Sequence, residues 1–435
     1  PKSLLSQLNP KGVSFFATTH FCKMASSRIS LRLVRRFTTA AADGTTTVEA
    51  TAPSSGKITV SKAKSTLRKE HDPDKALKIY ANVSDHSASP VSSRYAQELT
   101  VRRLAKCSRF SDIETLIESS KKDPKIKEEP FYSTLIRSYG RASMFGHAMR
   151  TFEQMDQYGT PRSAVSFNAL LNACLHSKKF DKVPQLFDEI PQRYSKVTPD
   201  KISYGILIKS YCDSGSPEKA IEIMRQMQGK GMEVTTIAFT TILSSLYKKG
   251  ELEIAENLWN EMVKKGCELD SAAYNVRLMS AQKESPERVK ELIEEMSTLG
   301  LKPDTISYNY LMTAYCEKGM LDEAKKVYEG LEGNSCAPNA ATFRTLIFHL
   351  CYSRLYEQGY AIFKKSVYMN KIPDFNTLKH LAAGLVANKK IDDAKGLIRT
   401  VKKKFPPSFM NAWKKLEEEL GLDSKTDASA KEAAA

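Results

Sequence analysis

A unit of about 35 residues recurs head to tail from Arg94 to Phe409, and this period constrains the fold more than any other feature of the chain. Three copies open nearly alike, as Ala164-Val-Ser-Phe-Asn-Ala-Leu-Leu, Thr305-Ile-Ser-Tyr-Asn-Tyr-Leu-Met and Ala340-Ala-Thr-Phe-Arg-Thr-Leu-Ile. Each opening leads into a second apolar helix and then a turn such as Gly300-Leu-Lys-Pro-Asp304. One helical hairpin of this size cannot bury its apolar face alone, so successive units must stack and cover one another. The expected fold class is all-α, an α-solenoid of about nine hairpins starting at Arg94, Glu129, Ala164, Lys201, Thr236, Ser271, Thr305, Ala340 and Phe375.

In that register an aromatic recurs at the fourth position, as Tyr132, Phe167, Tyr204, Phe239, Tyr274, Tyr308 and Phe343. A leucine three residues later (Leu135, Leu170, Leu207, Leu311, Leu346, Leu381) falls on the same helix face. In the second helix, alanine recurs as Ala148, Ala220, Ala255, Ala324 and Ala394, and four residues on stand Phe152, Met224, Trp259, Tyr328 and Ile398. These stripes assign the aromatics to the core, not to an exposed stacking platform. Cysteine follows the repeat too: Cys212, Cys316 and Cys351 share one position, and Cys267 and Cys336 another. None of the eight cysteines forms a C-x-x-C pair or lies near histidine at a ligand spacing. They read as packing positions in a reduced protein, with no metal site and no disulfide framework.

The flanks differ in composition. Lys2, Lys11, Lys23, Arg28, Arg32, Arg35 and Arg36 precede the first acid, Asp43, and account for seven of the sixteen net positive charges. From Met24, the run Ala-Ser-Ser-Arg-Ile-Ser-Leu-Arg-Leu-Val-Arg-Arg-Phe37 is basic, hydroxylated, acid-free and amphipathic if helical, the marks of an organellar presequence. Residues 1–37 are therefore expected to be an upstream extension plus a mitochondrial presequence cut after Phe37. A plastid signal and a plain disordered basic tail are the alternatives. Residues 38–56 read as a linker, 57–93 as a degenerate leading hairpin, 410–423 as a capping helix around Trp413 and Leu416, and 424–435 as a low-complexity tail. No run approaches the ~18 apolar residues of a membrane span. The remaining positive charge suits a polyanionic partner.

The 35-residue length, the fourth-position aromatic, the second-helix alanine and the Gly-x-x-Pro-Asp turn together resemble the P-class of the pentatricopeptide repeat family. The resemblance implies a right-handed solenoid that binds RNA, with one base met per repeat. It further implies that the fifth and last residues of a repeat contact a base edge and that the second wedges between bases. Carried onto this chain, Asn168 with Asp200 and Asn275 with Asp304 match the pair favouring uracil. Thr240 with Asp270 matches the guanine pair, and Asn309 with Asn339 a pyrimidine pair. The wedges would be Val165, Ile237, Ala272 and Ile306. In family polarity these units would read 5′-U-x-G-U-Y-3′. Gly205, Ser133 and Glu98 at the fifth position depart from the pattern, and Glu98 would repel phosphate. Arg344 and Lys379 also depart from it, but as cations they are candidates for phosphate contact. So are Lys248, Lys249, Lys264, Lys265, Lys364, Lys365, Lys402, Lys403 and Lys404, although lysines on solvated helix faces look the same. The aspartates have a second reading as helix N-caps, worth ~1 kcal/mol each without RNA.

The seven histidines are scattered, with no H-x-E followed by C-x-x-C and no Gly-rich phosphate loop. The expectation is a non-enzyme with no cofactor, no metal and no small-molecule substrate. Its partners would be RNA and ribosomal proteins, with rRNA favoured over mRNA, in the mitochondrial matrix. At ~1–3 kcal/mol per well-read base, four readable pairs select a transcript poorly. This favours a structural part of a ribonucleoprotein over a sequence-specific factor that stabilises or processes organellar transcripts. A protein-binding scaffold is a third reading. The layout and the Asp72-Pro-Asp-Lys-Ala76 leader resemble the short members of this family that belong to the plant mitochondrial small ribosomal subunit.

Overall fold

A computed structural model describes residues 58–83, 90–121, 127–404 and 410–422. The expected presequence with its cut after Phe37, the linker and the C-terminal tail lie outside these residues. Among the described residues twenty-one α-helices follow one another, and the extended pairing is one isolated bridge, Ile58 to Val83. The described residues fall into two compact units, 58–320 with 400–415 and 321–399 with 416–422.

The first unit holds α1 (Val60–Lys69), α2 (Pro73–Ala81), α3 (Pro90–Lys106), α4 (Phe110–Lys121), α5 (Glu129–Arg141), α6 (Phe145–Glu153), α7 (Ala164–His176) and α8 (Lys182–Arg193). It continues with α9 (Lys201–Asp213), α10 (Pro217–Gly229), α11 (Thr236–Lys249), α12 (Leu252–Lys264), α13 (Ser271–Ala281), α14 (Pro286–Thr298) and α15 (Thr305–Glu317). The second unit holds α16 (Leu321–Glu329), α17 (Ala340–Tyr352), α18 (Tyr356–Tyr368) and α19 (Phe375–Ala387). Helices α20 (Ile391–Lys404) and α21 (Met410–Glu419) follow.

In the first unit the odd-numbered helices from α3 to α15 lie side by side, each against the next. Even-numbered helices pack on their own hairpin partner and on the following odd helix, as α10 does on α9 and α11. In the second unit α17 meets α16, α18 and α19 in the same way. This two-layer stacking of hairpins is the α-solenoid class. First helices begin at Glu129, Ala164, Lys201, Thr236, Ser271, Thr305, Ala340 and Phe375, whereas the helix containing Arg94 starts four residues earlier, at Pro90.

Local chemistry explains these starts. Asp200, Asp304 and Asn339 each accept backbone N–H bonds in a reciprocal capping box with the third helical residue. Ser163, Thr235, Asp270 and Asp374 cap their helices with a side-chain oxygen. Pro217 and Pro286 open second helices, where a missing N–H costs nothing. Gly250 ends α11 in the left-handed region, at φ 87°, where a side chain would be strained.

The stripes form the core. Tyr132, Phe167, Tyr204, Phe239, Tyr274 and Phe343 are buried, as are the six stripe leucines and all five second-helix alanines, while Tyr308 and Tyr328 are half-buried. Two first helices approach closely at Gly140, where a Cβ would lie 2.4 Å from the Cα of Ala173. Cys174, Cys212, Cys316 and Cys351 are free thiols whose pKa burial pushes up to about 12, consistent with inert packing positions. Among the described residues no helix is long and apolar enough to cross a membrane, and no group of His, Cys, Asp and Glu could hold a metal ion.

Candidate nucleic-acid interface

The N-terminal turns of the first helices carry the candidate reading residues. Asn168, on α7, donates from Nδ2 to Asp200 Oδ1 at 3.0 Å, and its Oδ1 accepts from Ser203 Oγ at 2.6 Å. Asn275, on α13, repeats this arrangement with Asp304 at 3.1 Å and Ser307 at 2.8 Å. In both repeats the aspartate also accepts the N–H of the second and third residues of the next helix. One carboxylate thus caps a helix and holds the preceding repeat's amide. The asparagines are nearly buried, 8% and 7% exposed.

The Thr240–Asp270 pair differs. Thr240 Oγ1 turns back to Ile237 O at 3.1 Å, while Asp270 Oδ1 accepts from Ala273 N at 2.8 Å, and no hydrogen bond joins the two side chains. A threonine hydroxyl on a helix finds the carbonyl of its own preceding turn, whereas a longer amide reaches across to the next helix. Asn309 is buried at 1% exposure, and Asn339 caps α17 through Ala341 N and Thr342 N at 2.8 and 3.1 Å.

Of the wedge candidates, Val165 and Ile237 are exposed and Ala272 and Ile306 half-buried. Ile202 is as exposed as Val165, at 47%. Reading the sequence by pairs overlooked Ile202, because its repeat carries Gly205 at the fifth position; the second position alone would have identified it.

The candidate phosphate contacts scatter. Lys248 and Lys249 end a first helix, and Lys249 is paired with Glu218. Lys264 is exposed on α12, and its neighbour Lys265 meets Glu261 at 2.9 Å. On α18, Lys364 lies 4.7 Å from the Tyr360 ring centroid and Lys365 5.7 Å from that of Tyr328. Lys379 meets Glu419 at 3.5 Å, and Arg344 is half-buried, its pKa lowered by burial. Lys402, Lys403 and Lys404 form the last turn of α20. The lysines of α12, α18 and α20 therefore belong to second helices, whereas Asn168, Asn275 and Asn309 belong to first helices.

A denser cationic group lies on the first helices. Arg102 on α3, Arg137 and Arg141 on α5, and Lys209 on α9 all act on His176 of α7. Desolvation first, and these cations second, push the pKa of His176 down to about 4. Glu98 binds Arg102 at 2.7 Å and also contacts Arg141. These cations occupy the ninth and thirteenth positions of their repeats, one and two turns beyond the fifth. That spacing was the available signal, and the runs of adjacent lysines obscured it.

Comparison with known proteins sets this geometry in a family. The chain matches the PPR repeat family at residues 162–213, 199–243, 234–281 and 303–352, and a PPR repeat at 131–160. It is 92% identical over 415 residues to small ribosomal subunit protein mL103 (rPPR7) of Arabidopsis thaliana, covering 95% of this chain and 100% of that protein. A mitochondrial pentatricopeptide repeat-containing protein of Arabidopsis thaliana is 68% identical over 408 residues, 94% of this chain and 96% of its own length. The Arabidopsis thaliana small ribosomal subunit protein mS79 (rPPR3b) is 42% identical over 136 residues, 31% of this chain and 34% of that protein.

Proposed function

Because the chain belongs to the pentatricopeptide repeat family, we propose that it is a structural component of the small subunit of a plant mitochondrial ribosome, its solenoid holding rRNA or neighbouring proteins. The observation that carries this reading is the 92% identity spanning the full length of a small ribosomal subunit protein. The basic, acid-free run ahead of Phe37 supports a mitochondrial destination, the matrix. The role is architectural, not catalytic.

The first-helix cations support a contact governed by charge and shape. Arg102, Arg137, Arg141 and Lys209 converge where the fifth-position residues Glu98, Ser133 and Gly205 read no base. The second reading, a factor that selects particular transcripts, is favoured by one observation, the repeated Asn–Asp–Ser geometry at Asn168 and Asn275.

Sedimentation of mitochondrial extract through a high-salt gradient separates the readings. A ribosomal component co-migrates with the small subunit and leaves it only when magnesium depletion opens the particle. Recovery in light, RNase-sensitive fractions would overturn the ribosomal role and favour the transcript factor.

A further inference from the structure

Helix α18 stands out among the second helices in its charge and in the way it ends. The second helices α12, α14 and α16 each carry more acids than bases, whereas from Gln358 to Pro373 the chain carries Lys364, Lys365 and Lys371 and no acid. Other lysines meet carboxylates, as Lys249 does Glu218, Lys265 does Glu261 and Lys379 does Glu419. Among the described residues no carboxylate pairs with Lys364, Lys365 or Lys371. Lys364 and Lys365 lie instead against aromatic rings, 4.7 Å from the Tyr360 centroid and 5.7 Å from that of Tyr328. A ring orients a cation without cancelling its charge. These rings are packed in turn, Tyr360 stacked on Phe363 at 6.0 Å and Tyr328 edge-on to Phe343 at 5.9 Å. Burial first, and then Glu329 and Asp393, raise the pKa of Tyr328 and Tyr360, yet neither acid pairs with any of the three lysines.

Tyr368 follows about one turn after Lys364 and Lys365, on the same face of the helix. It is 92% exposed, the barest large apolar side chain among the described residues. The repeat has no need of a ring there, because the equivalent residue of every other repeat is non-aromatic, among them Gln157, Gly229, Leu299 and Lys403. The turn that follows keeps the third lysine nearby. Asn370 takes the left-handed conformation at φ 53°, and Lys371 N donates to Ser366 O at 2.8 Å.

Three cations without acids select a polyanion, and a bare ring offers a flat face to a base. Aromatic stacking beside lysines that follow the backbone is how single strands are held without regard to sequence. An acidic peptide suits the lysines alone and leaves the ring unexplained. We propose that the C-terminal end of α18 is an RNA contact in its own right, where an unpaired base stacks on Tyr368 and the flanking phosphates meet Lys364, Lys365 and Lys371. It belongs to a second helix, whereas the candidate reading residues belong to first helices. The inference rests on the reading that this array holds RNA.

The test measures the affinity of the full chain for a fluorescent single-stranded RNA of mixed sequence over a series of salt concentrations. Tyr368→Ala should weaken binding about fivefold to a hundredfold, the range of one base–aromatic stack, and Tyr368→Phe, which keeps the ring, should bind as the natural sequence does. The variant K364Q/K365Q/K371Q should flatten the salt dependence, its log–log slope falling in magnitude by about 2, as three single-strand phosphates require. The same RNA carrying 4-thiouridine should crosslink to the tryptic peptide Ser366–Lys371. The four side chains are exposed, so melting temperatures should not change.

Natural affinity in Tyr368→Ala, with an unchanged salt slope in the lysine variant, would overturn this contact while leaving RNA binding by the array intact. Loss of these variants from the small ribosomal subunit with RNA affinity unchanged would assign the face to a protein neighbour and likewise overturn it. No binding of the probe by the natural sequence would overturn the reading that the array holds RNA.

Discussion

Arg277 occupies the seventh position of its repeat, where six other repeats carry leucine. Its side chain is 10% exposed, paired with Glu256 at 3.0 Å and Glu295 at 3.6 Å, and lies 4.7 Å from the Trp259 ring centroid. Tyr247 and Tyr274 donate to the same two glutamates, each at 2.6 Å. The charge is thus satisfied from both neighbouring second helices, but desolvating a guanidinium offsets much of that gain. Replacing it with the leucine of the other repeats should leave stability within about 1 kcal/mol or raise it. Arg277→Ala, which leaves a cavity beside Trp259, should cost about 2–4 kcal/mol. Urea unfolding of the two variants checks this, and equal losses in both would show that the ion pairs, not side-chain volume, carry the site.

At the scale of the helix, capping and inter-repeat contact can be separated. Asp270 caps α13 and makes no bond to Thr240, whereas Asp304 caps α15 and also holds Asn275. Asp270→Ala should therefore cost ~1 kcal/mol, the value of a cap, and Asp304→Ala about 1 kcal/mol more for the lost amide bond. Asp304→Asn should recover the cap. Comparable melting losses for the two alanine variants would mean that the amide bond contributes nothing to stacking.

Histidines on first helices add a pH term. Burial pushes His349 of α17 down to about 4, as desolvation and cations do His176 of α7, whereas an unfolded histidine titrates near 6.5. Between these values the unfolded chain binds protons that the folded chain refuses, so stability falls as pH drops from about 6.5 toward 4. His349→Gln should flatten that decline, measurable as a smaller difference in melting temperature between pH 7 and pH 5.

For the whole molecule, stacking means that each hairpin is supported by its neighbours alone, so damage can stay local. Gly384, on α19, lies so close to Tyr356 that a Cβ there would come within 2.1 Å of two ring atoms. Gly384→Ala must displace that ring, and overpacking of this kind costs about 1–3 kcal/mol. The loss should be confined to the second compact unit, residues 321–399 with 416–422. Amide hydrogen exchange tests this: faster exchange in α17 to α19 with unchanged protection in α5 to α13 is expected. A uniform rise along the chain would instead mean that both units unfold as one.

The sequence by itself determined the class of fold, the helices that open most repeats and the residues that fill the core. These depend on interactions within a turn or two of chain: an aromatic and a leucine three apart share a face, and an acid before a helix caps it. Repetition made that local signal legible, because the same choice appears at Tyr132, Phe167, Phe239 and Phe343. The candidate site was legible only in part. Asn168 and Asp200 could be named as a pair, but their hydrogen bond spans 32 residues of sequence and depends on how two hairpins are set against each other. The third partner, Ser203, the separation of Thr240 from Asp270, the acids facing Arg277 and the cations around His176 emerged only from the tertiary structure. A period locates each residue along its own helix to within a turn. A hydrogen bond requires tenths of an ångström between helices, and stacking alone supplies that.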